Sequence, residues 1–310
     1  MPKISILVPV RNSGKYLSGT LDTVVNQTFT DWEVVIKDGM STDDTLAVAK
    51  RYAAAHPNIK VISGPDEGSN DAVVRAFRES HGEYVLMLCA GDGYLTDRWL
   101  EMCIRALDED PEISLVWGIP FDMSEEGKLL GPHFAYGNFL GKTPGNMGLL
   151  KELIKRVAHP SSFLRLVRRA NLQTVRSVGG MLKKREVPQK QDWFWYWLDT
   201  GVQFPDGNTC MSRRLFEELV APRMGGPWKP GTWTNFYFSF NTQGYLARCF
   251  PIPASFARLT RGRLSDQLVA RANVEQSEFF EKLAEFRKKI KAHPEKMVFR
   301  ARSGEPIAVK

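Results

Sequence analysis

Four short polar segments could do chemistry together, because each follows an apolar run. They are Arg11-Asn12-Ser13-Gly14, Asp38-Gly39-Met40-Ser41-Thr42-Asp43-Asp44-Thr45, Asp66-Glu67-Gly68 with Asp71, and Ala90-Gly91-Asp92-Gly93. A carboxylate accepts hydrogen bonds from ribose hydroxyls and ligates a hard divalent cation, which in turn meets phosphates. Acidic groups beside glycine turns therefore suit a metal and a ribose better than bare phosphate. Asp38 and Asp92 directly follow apolar runs and are read as functional. Asp43, Asp44 and Ser41 fit helix caps, and capping is preferred for the two aspartates. No GxGxxG follows the first apolar run and no GxxxxGK[ST] occurs, which weighs against dinucleotide-binding and P-loop readings. Cys89, Cys103, Cys210 and Cys249 show no CxxC spacing, so reduced thiols in a cytosolic protein are the simplest expectation.

These groups need elements to carry them. Ile4–Val10 is a continuous apolar run, as a strand buried on both faces would be. Leu17, Leu21, Val24 and Val25 then recur at helical spacing. Strands are expected at Trp32–Ile36, Ile59–Ser63, Glu83–Cys89 and Ile113–Trp117, with helices opening at Asp43-Asp44, over Ser69–Ser80 and over Thr96–Asp108. This alternation predicts an α/β fold with a mostly parallel sheet flanked by helices. Ligands of such sheets bind beyond the carboxyl ends of the strands, where the four polar segments fall.

The 310 residues suffice for one catalytic domain with an elaborated second half. No apolar run is long enough to span a bilayer, and MPKISILVPV reads as a strand rather than a signal. Net charge is +7, but residues 1–130 carry −9 and residues 131–310 carry +16. A basic half could meet nucleic acid, an anionic membrane or an acidic substrate, or be a solvated face.

ISILVPVRN, VVIKDGMSTDDT, GSNDAVVRAF and HGEYVLMLCAGD, in this order, resemble the amino-terminal half of glycosyltransferase family 2 over roughly residues 3–118. The resemblance implies a GT-A fold, inverting transfer from a nucleotide sugar (UDP before GDP or dTDP) and a divalent metal, Mn²⁺ or Mg²⁺. It implies a nucleotide-sugar-binding half over 1–120, an acceptor and catalytic-base half over 121–263, and a carboxy-terminal helix and tail over 264–310. Carried over by position, Pro9, Val10, Arg11 and Asn12 line the end of the first strand. Asp38, with Ser41 beside it, meets base and ribose, Asp71 lies near the ribose and donor sugar, and Arg75 lies near the phosphates. Gly91 and Asp92 stand in the metal-binding region, where Cys89-Ala90-Gly91-Asp92 keeps one carboxylate of the family's DxD.

The resemblance also implies a base in the second half, and two registers fit. In one, His159-Pro160 and Gln191-Asp192-Trp193 make Asp192 the base, with Asp199 and Asp206 as alternatives. In the other, Gly207–Phe216 precedes Thr234-Asn235 at the acidic position, which predicts altered or absent catalysis. Asp192 is preferred. His159 is an acceptor or diphosphate contact or a turn residue. Arg261 and Arg263 form a diphosphate-closing loop or a solvated cap. Trp193 and neighbouring aromatics could stack on an acceptor sugar or pack in the core. Arg165 to Lys190 is a basic cluster suited to an anionic membrane surface or to solvent. The terminal helix, roughly Asp266–Ala292, could pack on the domain, form a homo-oligomer or lie on a membrane. The expected partners are a nucleotide-sugar donor and a glycan or lipid-linked glycan acceptor, at the cytoplasmic face of a membrane, rather than nucleic acid.

Overall fold

The computed structural model describes residues 1–133, 188–224, 226, 232–260 and 269–307, apart from the side chains of 206 and 269–277. His159, Arg261, Arg263 and most of the basic cluster lie outside the described residues.

β1 (Ile4–Val10) sits in parallel between β2 (Trp32–Asp38) and β4 (Tyr84–Met87), and β3 (Ile59–Ser63) pairs with β2. That central place is why Ile4, Ile6, Leu7 and Val8 are all apolar and buried. α1 (Gly14–Val25), α2 (Thr45–Ala55) and α3 (Ser69–Arg78) make the crossovers. β5 (Gly93–Tyr94) and α4 (Trp99–Glu109) lead to β6 (Ile113–Met123), which turns back through β7 (Leu129–Pro132).

The second half completes the same sheet. After α5 (Lys190–Thr200), β8 (Cys210–Ser212) inserts antiparallel between β4 and β6. A helical run over Arg213–Leu215, Phe216–Val220 and Ala221–Met224 and then α6 (Thr232–Thr242) lead to β9 (Leu246–Arg258), which runs parallel to β6. Strand order is β3-β2-β1-β4-β8-β6-β9-β5, with β7 beside β6. The sheet is therefore mostly parallel, as the sequence pattern implied.

Several strands extend or add to the sequence expectation, β6 and β9 most of all. β6 continues past Trp117 because register shifts around Gly118 and Ile119 absorb the irregular backbone there. β9 was not expected, since Pro251 and Pro253 cannot donate to a ladder, yet shifted pairing accommodates them.

α7 (Val269–Ala292) packs on the domain: Phe279, Leu283 and Ile290 are buried, and Phe286 meets Phe194, Trp197 and Phe238. A hairpin of β10 (Phe299–Arg300) and β11 (Pro306–Ile307) closes the chain. No helix among the described residues is long and apolar enough to cross a membrane.

Candidate active site

β2 delivers Asp38 to the carboxyl end of the sheet, level with Val10 of β1. Asp38 is 0% exposed, and its carboxylate accepts from the Ser41 N–H at 3.2 Å and the Ser63 hydroxyl at 2.8 Å. Lys37 beside it is also buried. Its Nζ donates to the carbonyls of Asp38 (2.8 Å) and Gly64 (2.7 Å) and to Asp66 Oδ2 (2.9 Å). Three acceptors satisfy the three protons of an ammonium, which is the condition for keeping it charged away from water. Asp66 Oδ1 accepts from the Gly68 N–H at 3.1 Å. Lys37 thereby ties the loop before α3 to the end of β2 and fixes the Asp38 backbone. A Cβ on Gly39 would come within 2.7 Å of Asp66 Oδ2, so the turn requires glycine.

The loop after β1 is braced against the loop after β2. Asn12 donates its N–H to Ser41 Oγ at 2.9 Å and accepts the Thr42 N–H at Oδ1, 2.8 Å. Asn12 and Met40 hold φ of 50° and 60°, a left-handed geometry that asparagine tolerates. Asp43 accepts from the N–H groups of Gly14 (3.1 Å) and Thr45 (3.0 Å), so it serves the loops as a brace, close to the capping role expected. Asp44 occupies the cap position of α2 without a side-chain cap bond. Val10 is buried, Pro9 half-buried, and Arg11 is exposed above them.

Asp71, in the first turn of α3, accepts the Glu67 N–H at 3.0 Å and Arg75 Nε at 2.7 Å. Burial works to raise its pKa, but the Glu67 N–H, the Arg75 guanidinium and the Lys37 charge outweigh it and hold the carboxyl below the ordinary range. A depressed carboxylate contributes stability that is present above the unfolded pKa, about 3.9, and is lost as pH falls through the lower folded value. Arg75→Ala is therefore expected to cost about half a kcal/mol near neutral pH, since the arginine is half exposed. In urea titrations the difference from the parent should fade toward pH 2, and a constant difference would refute this.

Asp92 follows β4. Its Oδ1 accepts the N–H of Arg258, the last residue of β9, at 3.1 Å, and its carbonyl accepts the Thr20 hydroxyl at 2.7 Å. The Thr20 hydroxyl also accepts the Gly91 N–H at 2.8 Å. Arg258 donates to the carbonyls of Ser124 and Glu125 and lies 5.5 Å from the centre of the Tyr16 ring. Gly91 has φ of 99°, and an added Cβ would meet nothing nearer than 3.8 Å. Its requirement for glycine is thus one of backbone conformation. Gly91→Ala should cost about 1–2 kcal/mol in urea unfolding. An unchanged midpoint would show that the turn relaxes without strain.

Among the described residues no group of three or more His, Cys, Asp or Glu side chains gathers as a metal cage. One carboxylate fits a cation shared with a diphosphate and water, and does not fit one held by the protein alone.

The second-half residues divide. A Cβ on Gly207 would lie 3.7 Å from Asp92 Oδ2, so the 3-10 turn Asp206–Asn208 borders the aspartate. Asn208 holds that turn by donating to the Gly118 carbonyl and the Ser255 hydroxyl. Thr232, opening α6, accepts from Asn70 at 3.3 Å, which puts the start of the Thr234-Asn235 register next to Asp71. Asp192 is exposed on the first turn of α5, whose Lys190 pairs with Asp110 and Glu112 ahead of β6. Those anchors lie at the amino end of β6, whereas Asp92 sits at the carboxyl end of β9. The structure therefore does not bring Asp192 to Asp92. Asp199 is occupied by Lys291 on α7. Trp193 is 1% exposed, stacked on Phe204 and edge-on to Trp117. Its burial makes it a core residue, against the expectation of an acceptor contact.

Lys37 and Arg258 had no place in the site expected from sequence, whereas Asp206 stood there as an alternative base and Gly207–Phe216 as the segment before the acidic position. A lysine inside an apolar strand, one residue before Asp38, was the available signal for the first.

A family model described as glycosyl transferase family 2 matches residues 5–176, more than half of the chain. The chain belongs to glycosyltransferase family 2. The match runs beyond residue 118, where the sequence resemblance had faded. Chondroitin synthase of Escherichia coli is 33% identical over 130 residues, 42% of this chain and 19% of that protein. A poly(ribitol-phosphate) beta-glucosyltransferase of Bacillus spizizenii is 37% identical over 98 residues, 29% of this chain and 15% of that protein. The chain thus spans about a fifth or less of these relatives. Among solved structures, the mannosyltransferase PcManGT of Pyrobaculum calidifontis, in complex with GDP-Man and Mn2+, aligns over 92% of this chain and 64% of its own. Its TM-score is 0.54 at 18% identity. S. aureus TarS 1-349 with UDP-GlcNAc aligns over 84% and 60%, at TM-score 0.50 and 16% identity. These likenesses show the fold, GT-A, for this family 2 chain.

Proposed function

We propose that this family 2 chain transfers a sugar from a nucleotide sugar, UDP-linked, to a glycan or lipid-linked glycan, with inversion, in the synthesis of a polysaccharide or glycoconjugate. The observation that carries the proposal is that Asp38 closes β2 while Asp71 and Asp92 follow β3 and β4, all on the carboxyl side of one sheet, where Lys37 braces the first two loops and the Arg258 N–H holds Asp92. The names of the relatives and the nucleotide-sugar complexes of the structural neighbours support it. Asp38 receives the base and ribose, and Arg75, half exposed beside Asp71, faces the phosphates. A divalent ion held by Asp92 and the donor diphosphate would neutralise charge on the leaving group.

The acceptor hydroxyl attacks the anomeric carbon, the carbon–oxygen bond to the diphosphate breaks, and the hydroxyl proton passes to a carboxylate. Asp206 is our choice for that carboxylate, because its backbone lies in the turn that borders Asp92. Calorimetry with UDP tests the donor half. Binding should strengthen with Mn²⁺ and weaken at least about tenfold in Asp38→Ala, which loses a buried acceptor. Absence of UDP binding under every metal condition would overturn the proposal.

A second reading, nucleotide binding without turnover, is favoured by one observation: α6 opens on Thr232, Trp233, Thr234 and Asn235 beside Asn70, where the resemblance implied an acid. A donor screen by nucleotide release, with and without Mn²⁺, separates the two.

A further inference from the structure

We propose that the carboxy-terminal elaboration forms a second ligand site, for a sugar bearing a negative charge. A cavity of about 630 Å³ opens between α6, α7 and the terminal hairpin. Four of its lining residues are cationic, Arg214, Lys289, Lys296 and Arg300, and none is acidic. Arg214 is partnered by Glu218 at 2.6 Å, and Arg300 donates to the Gly304 carbonyl at 3.0 Å. Lys289 and Lys296 are exposed and make no ion pair among the described residues. The lining also includes Tyr245, Phe286 and Ile290, each at least half-buried. Apolar and aromatic faces pack on sugar rings, while unpaired ammonium groups attract phosphate or carboxylate.

The cavity is remote from the aspartates. Arg214 follows β8 where Ser212 pairs with Tyr84, the first residue of β4, and Tyr245 immediately precedes Leu246, which pairs with Ile113, the first of β6. The cavity therefore lies at the amino ends of strands whose carboxyl ends carry the aspartates, and one donor molecule cannot occupy both. An anionic sugar held there would tether an acidic chain to the protein away from the donor.

The test titrates glucose 6-phosphate, glucose and inorganic phosphate into the full chain, followed by calorimetry and by chemical-shift mapping. Glucose 6-phosphate should bind and shift Tyr245 and Ile290, glucose should not bind, and inorganic phosphate should bind about tenfold more weakly. K289E/K296E should lose at least about tenfold in hexose-phosphate affinity. Because both lysines are exposed, its Tm and UDP binding should match the parent. No hexose-phosphate binding, equal binding by the double variant, or equal affinity for inorganic phosphate would overturn the proposal. Capture of phosphatidylglycerol vesicles by the parent and not by the double variant, without hexose-phosphate binding, would overturn it in favour of a lipid surface. Loss of UDP binding alone would remove the donor reading and leave this one standing.

Discussion

Asp206→Asn is expected to lower kcat about a thousandfold while leaving UDP affinity within a factor of about two. The amide is close in size but cannot take a proton, so only a step that needs a base should suffer. Asp192→Asn is the paired measurement and should stay near the parent, because α5 is anchored to Asp110 and Glu112 at the far end of β6. The reverse outcome would restore Asp192 as the base. If the parent itself releases no nucleotide from any donor yet binds UDP, the non-catalytic reading holds and the Thr234-Asn235 register explains it.

The second large effect concerns stability. Lys37→Met removes the buried ammonium from its three acceptors and leaves Asp66, only 4% exposed at its side chain, without its charge partner. Breaking such a pair costs about 3–5 kcal/mol, a large share of a domain's stability of about 5–15 kcal/mol. Urea unfolding should show that loss for Lys37→Met and a comparable one for Asp66→Ala, with the double variant well short of the sum. Additive losses would mean that the two residues act separately. UDP binding should weaken in Lys37→Met as well, since the Asp38 backbone loses its anchor.

The first half was largely legible because its signals are local. Ile4–Val10 and Ile59–Ser63 form strands with the bounds their apolar runs implied, Asp38 closes β2, and Asp92 lies in the loop after β4. β2 runs two residues past Ile36 through Lys37 and Asp38, because tertiary partners make a buried lysine tolerable there. The second half was less legible because its order depends on distant pairing. β8 is three residues long and exists only between β4 and β6. β9 carries two prolines, so local propensity argues against the strand that pairing with β6 supports. Trp193 and Trp197 carry no local mark separating a sugar platform from core. Packing against Trp117, Phe204 and Phe286 puts both in the core.

What the sequence determined by itself is the α/β rhythm, the family and the acidic groups that would meet a donor. Each is written in contiguous stretches of apolar period and turn residues. Only the tertiary structure decided which second-half residues reach those groups. The decision lies in register: Asn208 fastens the Asp206–Asn208 turn to Gly118 and Ser255 beside Asp92, while Lys190 fastens the helix of Asp192 to the other end of the sheet. Hydrogen bonds and ion pairs between residues 47 to 90 positions apart make that choice, and no local run of sequence can express it.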